Sequence, residues 1–197
     1  MNSQKFNELL LQSLEHERGG VKIYQAAIDC AQREDLRAEW EKYLAQTEEH
    51  VSTLTGICEL FDIDPFTVTP GTQIVKATGA ALVHAMEMAL SAGNPPAAQI
   101  VAAECIVLAE TKDHLNWELL GEASKYLSGD ERQALQDAHE KIEDEEDEHL
   151  YHTQGWCREL WLDSLGIDAE LPPAEEKREV TTAAEAQHAK ETRQPRH

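Results

Sequence analysis

The sequence predicts an all-α four-helix bundle with one long crossover, and three observations predict it. Four long segments repeat apolar residues in steps of three and four, the period of a helix with one buried face. Turn formers are concentrated between these segments, with only 10 Gly and 7 Pro in 197 residues. The connection between the second and third long segments spans some 35 residues and holds a further short helix, whereas the other two connections are tight turns.

The first helix runs from about Gln4 to Ala31, with Phe6, Leu10, Leu14, Val21, Tyr24 and Ile28 on one stripe, and Arg33-Glu34-Asp35 marks its end. Gly19 and Gly20 lie inside it. Each costs roughly 1 kcal/mol relative to Ala, so they signal a close helix approach beside Glu17. The second helix carries Leu36, Trp40, Tyr43, Thr47, His50, Leu54, Ile57 and Phe61 without a break in register. Pro65, Pro70 and Gly71 make residues 62–72 a loop, and Gln73 to about Ser91 reads as a short Ala- and Met-rich helix stopped by Ala92-Gly93-Asn94-Pro95-Pro96. A third long helix runs from about Ala97 to Leu127 through Ile100, Val107, Glu110, His114 and Trp117. Ser128-Gly129-Asp130 is the next turn, and the fourth helix runs from about Glu131 to Leu165. Its seam is Leu135, Ala138, Ile142, Glu146, His149, Thr153, Trp156 and Leu160, and Gly166 ends the pattern.

Residues 1–166 are therefore expected to form the bundle and 167–197 an acidic, polar tail. From Pro172-Pro173 onward the chain has almost no large apolar residues to offset its ordering entropy, so 172–197 is expected to be mostly disordered.

A formal charge of −21 with scattered basic residues argues against a nucleic-acid partner and favours cations. Cys30, Cys58, Cys105 and Cys157 form no C-x-x-C pair, which fits buried thiols in a reducing compartment. No apolar leader opens the chain and no stretch of about 20 residues is apolar enough to span a bilayer, so a cytoplasmic protein without a membrane partner is expected.

Against this apolar periodicity, Glu17, Glu110, Glu146, His50, His114 and His149 fall on seams. An ionised carboxylate in a bundle core is costly unless a cation or hydrogen bonds compensate it. Dinuclear carboxylate sites take one Glu from each of two helices and a Glu-x-x-His pair from each of the other two, because the three-residue step puts both side chains on one face. The fourth helix supplies Glu146-x-x-His149 outright. Glu17 and Tyr24 share their Glu-x6-aromatic spacing with Glu110 and Trp117, which suggests two related halves about a pseudo-twofold axis.

On these residues (Glu17/Tyr24, His50, Glu110 and Glu146/His149) the chain resembles the ferritin, bacterioferritin and rubrerythrin superfamily over roughly residues 4–165. The resemblance makes the predicted fold a ferritin-like four-helix bundle with an additional helix in its crossover. It departs from the pattern at Thr47, three before His50, where the superfamily has Glu. Glu48 and Glu49 lie about 100° or more off the seam and do not replace it. His114, one turn beyond Glu110, is the substitute the sequence offers, and His152, one turn beyond His149, is placed to orient His149.

The metal ligands expected are Glu17, His50, Glu110, Glu146 and His149, with His114 as a further candidate. Four carboxylates neutralise two divalent ions, so the three here fit one tightly held ion or an asymmetric pair. Imidazole and carboxylate donors suit iron, manganese or zinc. The resemblance implies iron or manganese reacting with dioxygen or peroxide, as a ferroxidase, peroxidase or oxidase, with a homodimer left open. The competing expectation is a non-catalytic helical interaction module with a degenerate site. Cage-type iron storage is disfavoured by the crossover helix and the long tail.

Overall fold

Each helix begins where the local sequence can satisfy its free N–H groups. A computed structural model describes residues 1–193, and the last part of the expected tail, 194–197, lies outside the described residues. Helix α1, Ser3–Cys30, is capped by Asn2, whose side chain accepts from the Lys5 N–H at 3.1 Å. Helix α2, Glu34–Leu60, opens with Glu34 and Asp35, which suit the positive end of the helix dipole. Helix α3, Pro70–Ser91, starts earlier than the expected Gln73, because Pro70 needs no N–H partner in the first turn. Thr69 and Thr72 there cap one another reciprocally at 3.0 and 2.9 Å. Helix α4, Pro95–Ser124, repeats the device with Pro95 behind Asn94. Helix α5 is Gly129–Ser164, and Gly129 takes φ 63° at its start, a left-handed conformation that glycine adopts without strain.

The four long helices form a ring in which α1 packs on α2 and α4, and α5 packs on α4 and α2, while α3 lies outside against α1 and α4. No strand occurs among the described residues, and the fold is all-α. Close approach explains two glycines of α1 and α3. A Cβ at Gly20 would meet the Thr47 methyl at 3.2 Å, and one at Gly79 would lie 3.6 Å from Gly19 Cα.

The apolar interior is split in two. One cluster holds Tyr24, Trp40, Tyr43, Ile106 and Trp156; the other holds Phe6, Leu14, Leu54, Trp117 and Ile142. Between them, in mid-bundle, every long helix contributes polar side chains that are almost wholly buried: Glu17, Thr47, His50, Glu110, Asp113, Glu146 and His149.

The segment expected to be mostly disordered contains two short helices, α6 (Ala174–Lys177) and α7 (Ala183–Thr192), docked on α5. Small apolar residues suffice here because charge pairing supplements them. Ala174, Val180 and Ala189 are buried, and Arg158 grips Glu175 through two hydrogen bonds of 2.6 and 2.9 Å. Among the described residues no helix is long and apolar enough to cross a membrane. All four cysteines are free thiols, as their spacing implied.

Candidate metal centre

The five ligands expected from the sequence converge in the polar layer. Glu17, His50 and Glu146 place one donor atom each within 4.8 Å of one another, and so do Glu110, Glu146 and His149. Glu146 belongs to both groups. Its Oε1 lies 3.0 Å from His50 Nδ1 and 3.6 Å from His149 Nδ1, while the outer carboxylates lie 3.5 Å (Glu17 to His50) and 3.6 Å (Glu110 to His149) from the same nitrogens.

The helix register sets which atom of each residue faces inward. Tyr24 donates its hydroxyl to Glu110 Oε1 at 2.8 Å, and Trp117 donates its indole N–H to Glu17 Oε1 at 2.7 Å. The repeated Glu-x6-aromatic spacing thus works crosswise: the aromatic of α1 holds the carboxylate of α4, and the aromatic of α4 holds that of α1. On the imidazoles the outer nitrogens are engaged, His50 Nε2 with Glu145 Oε2 at 2.7 Å and His149 Nε2 with Gln46 Oε1 at 3.1 Å. Both partners accept, so both Nε2 atoms carry a proton and both Nδ1 atoms face the layer.

What remains is a matched set of unused donors. Glu17 Oε2, His50 Nδ1, Glu110 Oε2, Glu146 Oε2 and His149 Nδ1 are all buried without a hydrogen-bond partner. The short His50 to Glu146 approach is close enough for an ion pair but off the hydrogen-bond angle. Native proteins rarely leave buried polar atoms unpaired, and all five belong to residues of the two groups that could hold a metal ion. Buried Glu/His clusters of this kind can hold a metal ion, and their mixed oxygen and nitrogen donors fit a first-row divalent cation.

Residues 2–104, more than half of the chain, match the domain of unknown function DUF892. The chain belongs to this family. The matched part of the DUF892 chain contains Glu17, Thr47 and His50 and stops before Glu110, Glu146 and His149. No curated protein and no solved structure matches it.

Electrostatics in this DUF892 chain favour a cation in the layer. Burial pushes the Glu17 carboxyl up to about 8, with the Asp113 carboxylate adding to the effect against the pull of His50 and Trp117. Burial, then Asp113, also raises Glu146 well above the ordinary carboxylate range. Glu110 is opposed by burial yet held below its ordinary value by His149 and the Tyr24 hydroxyl. Burial works against a charged His50, but Glu145, Glu146 and Glu17 together push it up to about 12. Glu17 and Glu146, unlike Glu110, thus hold protons that a divalent ion would displace.

Two expected placements differ. His114 lies outside both donor groups, with its side chain 30% exposed and its Nδ1 3.1 Å from Asp147 Oδ1. Its step of four from Glu110 turns it toward α5, where an acidic partner waits. His152 makes no direct hydrogen bond to His149; its Nδ1 meets the hydroxyl of Tyr43 at 3.0 Å, and the Tyr43 ring packs on His149 with centroids 4.2 Å apart. Thr47 stays out of the donor set, its hydroxyl bonded back to the Tyr43 carbonyl at 2.9 Å.

Sequence reasoning missed Gln46, Glu145 and Asp113. Glu145 stands in an acidic run of α5 directly before Glu146, where the helical period alone does not turn it inward. Glu143 is exposed beside His139, and Glu145 supports His50. Asp113 had a usable signal, since it stands one turn from Glu110.

Proposed function

We propose that this chain is a ferritin-like metal protein whose bundle core binds iron or manganese and reacts with dioxygen or peroxide. The observation that carries the reading is the set of five converging buried donor atoms without partners. Glu17, His50 and Glu146 would hold one ion, and Glu110, Glu146 and His149 the other, with Glu146 shared. A bound iron or manganese ion would supply the electrons for reduction of the oxidant.

The chain's own groups do the rest. Trp117 and Tyr24 fix one oxygen of Glu17 and Glu110 and leave the other for the ion. Glu145 and Gln46 hold the imidazoles in the tautomer that presents Nδ1. The apolar clusters on both sides exclude bulk water and strengthen every charge interaction in the layer.

The test is metal analysis of protein purified after iron supplementation, beside Glu146→Ala and His149→Ala, with oxygen uptake followed after Fe2+ addition. Metal in the wild type, most of it lost in Glu146→Ala, with uptake faster than buffer supports the reading. Equal metal content in all three ends it.

One observation favours a second reading. Thr47 contributes no donor, so the half on α1 and α2 is one carboxylate short, as in a non-catalytic helical module with a degenerate site. Metal-free protein with no oxygen uptake would support that reading.

A further inference from the structure

We infer that Asp113 supplies the fourth negative charge of the centre, compensating for the carboxylate that Thr47 does not provide. The inference rests on the reading of the polar layer as a metal site. Two divalent ions carry four positive charges, and Glu17, Glu110 and Glu146 bring three negative ones. From α2 no anion enters the layer: the Thr47 hydroxyl is turned to the Tyr43 carbonyl and its methyl lies against Gly20.

Asp113 stands on α4 three residues after Glu110 and four before Trp117, the residue whose indole binds Glu17. These steps put all three on one helix face. It is 4% exposed, and among the described residues the only hydrogen bond to its side chain comes from Asn116 Nδ2 at 3.5 Å, the outer limit of such a contact. Lys112 donates to Asn116 Oδ1 and so turns the amide N–H2 toward Asp113. Among the described residues no Lys, Arg or His lies within ion-pair distance of it.

A carboxylate withdrawn from water with one long amide contact is costly, and a nearby cation removes that cost. Asp113 shares the buried polar layer with Glu17, Glu110 and Glu146, on the face of α4 that carries Glu110. Asp113 lies outside the two donor groups, so its role is charge compensation and not ligation.

The experiment is calorimetric titration of Mn2+ into metal-stripped wild type, Asp113→Asn and the Thr47→Glu/Asp113→Asn double variant, with melting curves in EDTA. The wild type should bind two ions. Asp113→Asn should keep the tighter one and bind the weaker at least about tenfold less tightly, the usual scale for a supporting residue of a metal site. The double variant should recover the second ion, because charge and not shape is what was lost.

In EDTA, Asp113→Asn should melt at or above the wild-type temperature, since the amide removes a buried charge. A clearly lower melt there, or a folded double variant that recovers nothing, assigns Asp113 to packing and overturns the proposal. So does a wild type with one or two ions whose binding is unchanged in Asp113→Asn, which leaves the metal reading intact. A wild type that binds no ion overturns both.

Discussion

At the scale of single residues, the centre is a set of groups each held by one atom and free at another. That arrangement ties metal binding to pH. Glu17, raised to about 8, and Glu146, raised well above its ordinary range, must release protons when a cation enters. Mn2+ affinity should therefore rise with pH from 6 through about 8 and go on rising above it while His50 still has a proton to lose, with protons appearing in a weakly buffered titration; pH-independent affinity would contradict the assignment. Stability runs the other way in the metal-free protein. A group whose folded pKa is raised stabilises the fold fully below its ordinary value and loses that contribution as pH climbs through the folded one. For Glu17 the window is 4.5 to about 8, and His50, raised to about 12, acts in the same direction higher up. Metal-free protein should thus melt lower at pH 9 than at pH 6, and saturating Mn2+ should narrow the difference.

At the scale of helices, the seams of α1, α2, α4 and α5 were legible in the sequence because apolar residues recur every three or four positions over seven turns or more, a signal too long to arise by accident. The five donors were legible for the same reason, as polar interruptions of an apolar stripe. The flank of the seam was not. One turn past Glu110 both Asp113 and His114 lie within about 60° of it, and the 3.6-residue period cannot choose between them. Packing chooses: His114 faces Asp147 on α5, and Asp113 faces the interior. Glu145 and Gln46 were hidden likewise, since each sits beside the seam and reaches an imidazole only through the geometry of a neighbouring helix. Their importance is measurable. Gln46→Ala should weaken metal binding by about 10- to 100-fold with little change in the melting temperature of the metal-free protein. An unchanged affinity would show that His149 needs no such support.

At the scale of the whole molecule, the tail is the part the sequence concealed, because its order comes from pairing with α5 and not from apolar content. Gly155 makes room for it: a Cβ there would meet Glu175 Oε2 at 2.7 Å and Pro173 Cβ at 2.9 Å. Fully buried Glu159 is held by Arg158, Arg193 and the Glu170 N–H. Truncation after Leu171 would leave Glu159 and Arg158 short of partners, at a cost of about 2 kcal/mol. That lowers the melting temperature by about 4–8 °C for a chain of this size. Metal content should not change, because the centre lies farther up the bundle, between the two apolar clusters. The centre itself is tested most directly by anomalous diffraction at the iron edge from crystals of the iron-loaded protein. Two peaks in the bundle interior, one beside Glu17, His50 and Glu146 and one beside Glu110, Glu146 and His149, are the predicted result. An interior without a peak, or iron bound only at surface carboxylates, would contradict it.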